Sequence, residues 1–585
     1  MDNPLSYENA PTSREYKYKT YMQMVAHWAQ LYPNKEAFVE YDANAKRHSI
    51  TCQELLEKSK SFGRYVASIG IQKGDVVAFC MENTLNMLIA MFGVQFAGGI
   101  PFSTLQARAD GTDVIDAIRV VNIRMVLEHL TPFDLLTTSK KLTNAGQFKK
   151  SLLIRDQNSK LLVMDAKQGE QSWHLLENIQ SSQRCVSLLD VIYNNNALEL
   201  IHLNFKEKES RVVSLTNTPE VTLPDIYPED LVVYYKSSGS TGEPKLIGHT
   251  HLGFPGSTYL LKDCFEIDSH SRYFCDRPLG WSGGAPNIFI AFGATRVIVD
   301  SSLSIQKNNI DFLSDIIYQE KCTHVYLPGY LVSDLLRSRG NETKFSTVKV
   351  INFGSERFSK RFTELLGRFC KKLVIYYGLA ESAEISAFSS HNPVEYEDGI
   401  IGKPLPGMEM KVVDEHGNVV PRGQVGELHV RSVYRFIEYK DMREKFLDTV
   451  DKGNWLHTGD MAHIRADGNF ILRGRISERM SVGTVKIFSQ EIEKILINCS
   501  EVEAVVVVPV PDERLHHAIC ACIVLSKIKR VVVKDMHTYF DHLWADFAYI
   551  KPKYYIAFEE FPGNANGKID RKKIAMIAAS QLNLC

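Results

Sequence analysis

The sequence predicts an α/β fold with an antiparallel β extension, and three observations predict it. Short apolar runs that suit strands end one after another at polar or Gly-containing loops: 231–236 before a Ser/Thr/Gly stretch, 323–327 before Pro328-Gly329, 348–353 before Gly354-Ser355-Glu356, and 373–377 before Gly378. Helical spacing precedes them, as in Leu55, Leu56, Phe62, Tyr65, Val66 and Ile69, followed by a Gly-Asp turn and a strand over 76–79. Past Gly402 the text changes to short strands and turns (402–407, 408–413, 414–417, 426–428) that read as a β meander. In open α/β sheets ligands sit beyond the carboxyl ends of the strands, so the loops after the first set should line one crevice.

The remaining stretches are read in order. A second helical pattern is expected over 107–127, with Val114, Ile115, Ile118 and Val121 at its spacing, and 85–102 should be a buried helical stretch, because Asn86, Gln95, three glycines and Pro101 interrupt it as a membrane span. From 140 to 224 the chain is polar and irregular, with Asn194-Asn195-Asn196 and a charged run over 206–211, and surface excursions are expected there. Two hydrophobic strands follow at 503–510 and 521–525, preceded by a helix opening at Ser489, with that serine as its cap and Glu491 and Glu493 in its first turn.

With 585 residues, 44% of them hydrophobic, the chain can bury several cores. Its 68 basic and 69 acidic residues leave a net charge of −1, so no global field draws it to nucleic acid or to an anionic membrane. Eleven cysteines, an odd number without a CxxC pair, suit free thiols in a reducing compartment; Cys520-Ala521-Cys522 alone cannot make a zinc site. Neither a secretory or transit signal at the start nor a Ser-Lys-Leu or prenylation signal at the end is seen, so a cytoplasmic protein without a transmembrane segment is expected.

The chemistry centres on 231–248, LVVYYKSSGSTGEPKLIG. Gly239 and Gly242 can take the positive φ that turns successive N–H groups to one centre, Ser237, Ser238, Ser240 and Thr241 add hydroxyl donors, and Lys245 adds a cation. The alternative is a flexible surface loop, but the strand directly before it and Pro244-Lys245 directly after it favour a phosphate cradle for a nucleoside triphosphate, and it is no Walker loop, since neither glycine is followed by Lys. A second motif, Tyr376-Tyr377-Gly378-Leu379-Ala380-Glu381, offers an aromatic face to a purine, close approach at Gly378 and a hard oxygen ligand for Mg²⁺ at Glu381. The third, Trp455-Leu456-His457-Thr458-Gly459-Asp460, places a carboxylate that can accept two hydrogen bonds from a ribose diol, although taken alone it reads more readily as a turn aspartate.

The order SSGSTGEPK resembles the signature loop of the adenylate-forming superfamily: acyl-CoA synthetases, firefly-type luciferases and the adenylation domains of peptide synthetases. The similarity continues in order through YGLAE, WLHTGD, Gly474-Arg475 and Asn566-Gly567-Lys568, nearly the whole chain. It implies an AMP-binding region over 1–473 made of two α/β subdomains and a small β subdomain, a hinge over 474–479 turning about Ser477, and a mobile α+β lid over 480–585. It further implies that Lys568 enters the site during adenylation. Thr241 and Glu381 would serve the metal, while Gly354, Ser355, Glu356, Asp460 and Arg475 serve the nucleotide, and Trp281, Gly283 and Gly378 bound an acyl pocket. The implied substrates are ATP with Mg²⁺, a small carboxylic acid and CoA, acyl-CoA synthetases being the nearest resemblance.

Departures from the family pattern are specific. Ala380 stands where a Thr hydroxyl usually touches the adenylate phosphate, a loss worth about 1–3 kcal/mol unless Ser382 or water replaces it. Ser432 replaces a Gly, Ser481 a Lys, Thr484 the Gly that lets the thiol arm of CoA pass, and Ser489 a Pro, with Gly483 one position early. These changes leave two alternatives to thioester formation: adenylation that stops or serves another acceptor, and a non-catalytic relative that binds nucleotide or acyl-CoA. No carboxylate lies between Leu279 and Ile288 to hold an amino group, which disfavours amino acids as substrates.

Overall fold

The computed structural model describes the chain except residues 1–3, 12–19, 69, 81–82, 104–122, 129–150, 153–162, 165–198, 205–208, 215–219, 238–244, 301–302, 305–308, 339, 355–359, 393–394, 483–484, 500, 513, 515, 526–535, 546, 548–549, 563–568 and 585. Two sheets organise the body. The smaller runs Ile123–Glu128, Val76–Cys80, Ile100–Ser103, Leu231–Ser237, Lys245–Thr250, Glu438–Tyr439; the first four are parallel neighbours and the last two pair antiparallel. Its strands are covered by Cys52–Ser68, with Leu55, Phe62 and Val66 inward, and by Leu85–Phe96, every residue of which is buried. The expected buried helix is present over Leu85–Phe96 but not to 102, because Gly98 at φ +76° turns the chain and Ile100–Ser103 pairs as a strand; among the described residues no helix is long and apolar enough to cross a membrane.

The larger sheet has a parallel block of Glu36–Tyr41, Thr295–Val299, Arg272–Phe274, His324–Tyr326, Val350–Gly354 and Lys372–Leu379. It continues without a break into antiparallel strands Ala383–Ser390, Ile400–Pro404, Phe470–Arg475, Leu456–Ile464, Gly426–Arg431 and Glu409–Val413. The β subdomain thus shares a sheet with the second α/β subdomain, and the junction is the Lys372–Leu379/Ala383–Ser390 hairpin.

The C-terminal region is a three-stranded sheet, Val502–Asp512, His516–Leu525 and Tyr554–Phe558. Alternation along it separates two cores: Ile519, Ala521 and Ile523 pack with Ile492 and Leu496 of Ser489–Ile497, while Ala518, Cys520 and Cys522 pack with Ile574 and Ala578 of Arg571–Gln581. The described polar links from this unit to the body include Arg337–Glu503 at 2.8 Å, Arg473–Glu491 at 3.1 Å and Lys494–Asp398 at 4.0 Å.

Three expectations are corrected. Ile123–Glu128 is a strand parallel to Val76–Cys80 rather than the end of a helix, because I-R-M-V-L-E alternates with period two and has β-branched residues at Ile123 and Val126; 104–122 lie outside the described residues. Within the supposed irregular stretch, Glu199–Asn204 and Glu209–Ser214 form an antiparallel hairpin, since E-L-I-H-L-N and E-S-R-V-V-S each supply enough apolar and β-branched positions to pair. Ser489 does not cap its helix: Phe488 is the extended cap residue, and Ser489 is inside the first turn, 2% exposed, its hydroxyl accepting from Arg571 Nη1 at 3.4 Å.

Candidate nucleotide and acid site

The phosphate loop joins two antiparallel strands, with Ser237 and Lys245 directly opposite each other at its base. Ser238, Gly239, Ser240, Thr241 and Gly242 lie outside the described residues, as does the side chain of Ser237. Lys245 sits 5.0 Å from the ring centre of Tyr439, which the short strand Glu438–Tyr439 brings alongside Ile247. Burial lowers the Lys245 pKa, the nearby Lys445 lowers it further, and Glu381 acts in the opposite sense. The Tyr439 hydroxyl donates to Glu381 Oε1 at 2.9 Å, so one aromatic residue connects the cation of the phosphate loop with the carboxylate expected to serve the metal.

Around Glu381 the backbone is held from several sides. His249 Nε2 lies 2.6 Å from the Ala380 carbonyl, and the Phe436 N–H donates to the Glu381 carbonyl at 2.8 Å. Burial lowers the His249 pKa to about 4, so it is a neutral ring donating through Nε2. Ser382 is 1% exposed and its hydroxyl has no hydrogen-bond partner among the described residues.

Tyr376, Tyr377, Gly378 and Leu379 belong to the strand Lys372–Leu379 rather than to a loop, because Ala383–Ser390 returns antiparallel and pairs with them through a bulge after Tyr377. A Cβ on Gly378 would come within 2.4 Å of the Ala383 carbonyl oxygen, so that tight return requires glycine. Gly354 pairs with Tyr376, and a Cβ there would meet the Tyr376 backbone oxygen at 2.9 Å; Ser355 and Glu356 lie outside the described residues. The Tyr377 ring is packed in a core with Ile385 and Ile401, and what it presents at the site is its hydroxyl, which donates to Asp460 Oδ2 at 2.6 Å.

Asp460 is in mid-strand, not in a turn: Leu456–Ile464 and Phe470–Arg475 pair so that Asp460 and Arg475 are direct partners. Arg475 Nε reaches Asp460 Oδ1 at 2.9 Å, and the Asp460 N–H donates to Thr458 Oγ1 at 3.0 Å. Burial by itself would lower the Arg475 pKa, but the Asp460 carboxylate together with Tyr377, Glu478 and Glu381 offsets this and the net direction is up. Gly459, at φ +70°, supplies the turn in the backbone next to Asp460, and its N–H donates to Glu427 Oε1 at 3.2 Å.

At the expected acyl pocket, Trp281 is half-buried, whereas Gly283 is exposed with open space where a Cβ would sit. The sterically required glycines are its neighbours: a Cβ on Gly280 would lie 2.1 Å from Ser103 Cβ, and on Gly284 1.9 Å from the Pro278 oxygen. Sequence reasoning missed Arg296, 1% exposed, whose guanidinium donates to the carbonyls of Gly284, Ala285 (2.6 Å), Cys275 (3.4 Å) and Arg277 (3.3 Å) and so holds this loop closed from beneath. Five donors in a fixed fork suit this task, but nothing in the one-dimensional text marks a lone Arg for it. On the lid side, Ser477 is exposed in the turn Ile476–Glu478, Ser481 is described through its backbone only, and Gly483, Thr484 and Lys568 lie outside the described residues.

Comparison with known proteins identifies the family. A family model for AMP-binding enzymes matches residues 25–439, and a second, for the C-terminal domain of AMP-binding enzymes, matches 491–568. A long-chain-fatty-acid–CoA ligase of Salmonella typhimurium is 24% identical over 591 residues, covering 95% of this chain and 94% of its own. A fatty acid–[acyl-carrier-protein] ligase of Streptomyces coeruleorubidus is 27% identical over 365 residues, covering 60% and 68%. In fold, the chain is similar to the anthranilate CoA ligase AuaEII in complex with anthranoyl-AMP, at TM-score 0.77 and 18% identity over 97% of this chain and 98% of that one. It is also similar to the amide bond synthetase McbA from Marinactinospora thermotolerans, at 0.73 and 20% over 95% and 99%. The match over 25–439, together with the separate C-terminal match, shows that this chain belongs to the AMP-binding enzyme family, the adenylate-forming acid ligases.

Proposed function

We propose that the protein activates a carboxylic acid with ATP and passes the acyl group to the thiol of CoA. The observation that carries this reading is the convergence of Lys245, Tyr439 and Glu381 beside the phosphate loop with the Asp460–Arg475–Tyr377 group on the adjoining sheet. In the first step an acid carboxylate oxygen bonds to the α-phosphorus as the α–β bridging bond breaks, giving acyl-adenylate and pyrophosphate. Lys245 and the loop N–H groups would hold the phosphates, Asp460 would accept the ribose hydroxyls, and Lys568 would offset the charge that gathers at the α-phosphate. Glu381 fits a magnesium ion carried on ATP, since it is a half-buried carboxylate with one oxygen bound by Tyr439 and no hydrogen bond given to the other among the described residues; the ion would neutralise phosphate charge. In the second step a thiol attacks the acyl carbon and AMP leaves; rotation about Ser477 would exchange Lys568 for the 481–484 face.

A second reading, adenylation with transfer to an acceptor other than CoA, is favoured by Thr484 and Ser481 at the thiol side, and the relatives' names span CoA, acyl-carrier-protein and amide-forming ligases. Fatty acid substrates are one option among these names. The test is pyrophosphate release from ATP and Mg²⁺ against short, medium, long and aromatic acids, with and without CoA, using Lys568→Ala as the blank. Release that depends on one acid class and on Lys568, with a thioester product, supports the full reaction. An acyl-adenylate that persists when CoA is present supports the second reading, and no release above the blank while ATP still binds removes both.

A further inference from the structure

Glu384 lies on Ala383–Ser390 directly opposite Gly378, one of the residues expected to floor the acyl pocket. Protein surrounds its carboxyl group, while the residue as a whole keeps some accessible surface. Its partners are two hydroxyls of the short helix Gly253–Tyr259: Ser257 Oγ at 2.7 Å from Oε2, and Thr258 Oγ1 at 3.3 Å from both oxygens. Both hydroxyls also lie within reach of the Phe254 carbonyl, at 2.9 and 3.2 Å, and each has one proton to give. No Lys or Arg among the described residues pairs with Glu384. Burial raises its pKa, against the weaker opposing pull of the Ser257 and Thr258 bonds.

The location connects this carboxyl group with the chemistry. Its charge acts on Tyr235, two residues before Ser237 of the phosphate loop, and on Tyr376 of the adjoining strand. Tyr376 in turn packs in the same layer as Cys275, at the start of the loop that Arg296 holds, and Ile288, just past Trp281–Gly284. A carboxyl group between the phosphate-loop strand and the pocket loop, its two hydroxyl donors shared with the Phe254 carbonyl and no cation paired with it among the described residues, would be costly facing a plain hydrocarbon chain and satisfied by a ligand that brings a donor.

We propose that Glu384 selects carboxylic acids carrying an amino group and receives that group at the inner end of the acyl pocket. The inference rests on the acid-activating reading above and names its substrate class. Searching for such a carboxylate within the pocket loop alone misses it, because the chain delivers it from the strand beyond the Tyr-Gly motif.

The test uses matched pairs differing by an amino or a methyl group: the three aminobenzoates against the methylbenzoates, and 6-aminohexanoate against heptanoate, with pyrophosphate release as the readout. The wild-type chain should favour at least one amino acid of a pair by roughly tenfold or more in kcat/KM, and Glu384→Gln, which keeps the bonds to Ser257 and Thr258, should bring the ratio towards one. A ratio near one in the wild type, or a ratio unchanged in Glu384→Gln, overturns the proposal. Binding of the sulfamoyl-adenosine analogues of the same pairs, followed by calorimetry, separates the two claims. If no acid releases pyrophosphate, the catalytic reading fails, while an amino preference in binding that Glu384→Gln removes still sustains the selectivity; equal binding, or none, overturns it.

Discussion

At the end of the site proposed to hold the ribose, Asp460 and Arg475 are partners across one antiparallel strand pair, Tyr377 closes on the same carboxylate, and all three belong to a single continuous sheet. Between the body and the C-terminal unit, Arg337–Glu503, Arg473–Glu491 and Lys494–Asp398 join side chains that are partly or half exposed. Exposed pairs are each worth about 0–1 kcal/mol, whereas breaking a buried, hydrogen-bonded group costs about 1–3 kcal/mol. The Asp460 group is therefore held more firmly than the described polar links between the body and the C-terminal unit, a difference that would suit the proposed two-step reaction, in which the C-terminal unit turns between steps.

Predictions can break this contrast or sharpen it. The largest effect should come from the lid's chemistry: Lys568→Ala is expected to slow adenylation about 10²–10³-fold in single-turnover pyrophosphate release. Its melting temperature should hardly change, and a large destabilisation would mean that the lid is part of the scaffold. Asp460→Asn removes the charge facing Arg475 and weakens the acceptor for Tyr377. It should cost about 1–3 kcal/mol in urea denaturation, less than a fully buried pair because Arg475 is half exposed, and should raise the KM for ATP roughly tenfold or more. Stability unchanged in Asp460→Asn would erase the difference between the two regions.

Ala380→Thr tests the site's floor rather than its ends. Restoring a hydroxyl beside the adenylate should raise the adenylation rate about tenfold, and a rate that falls would mean that the His249-held backbone no longer presents residue 380 to the phosphate. The smallest effect is expected for Glu503→Gln, under about 0.5 kcal/mol in the denaturation midpoint and without change in pyrophosphate release, measured at two salt concentrations. A loss well above that would show a lid locked to the body.

Much of this was legible in the text because the signals are local. Short apolar runs ending at polar or Gly-containing loops gave the parallel strands, the largely apolar stretch from 85 with its interrupting Asn86 and Gln95 gave a buried helix, and the hydrophobic runs 503–510 and 521–525 gave the C-terminal hairpin. Legibility failed where pairing partners, not local pattern, decide. Tyr377-Gly378-Leu379 reads as a loop because of its glycine, yet the returning Ala383–Ser390 strand recruits it into the sheet. Ser489 has the right residue type for a cap, but Arg571, 82 positions on, holds its hydroxyl inside the lid.

What the sequence determined by itself is the order and spacing of the motifs, and through them the family, since each motif is a short segment whose backbone and side chains act together. What only the tertiary structure decided is the company those motifs keep: Tyr439 between Lys245 and Glu381, Arg296 beneath the pocket loop, and Glu384 against Ser257 and Thr258. These contacts join residues tens to nearly two hundred positions apart on different strands and helices, and the energy that selects them is the satisfaction of buried polar groups, which exists only once the sheets have closed around them.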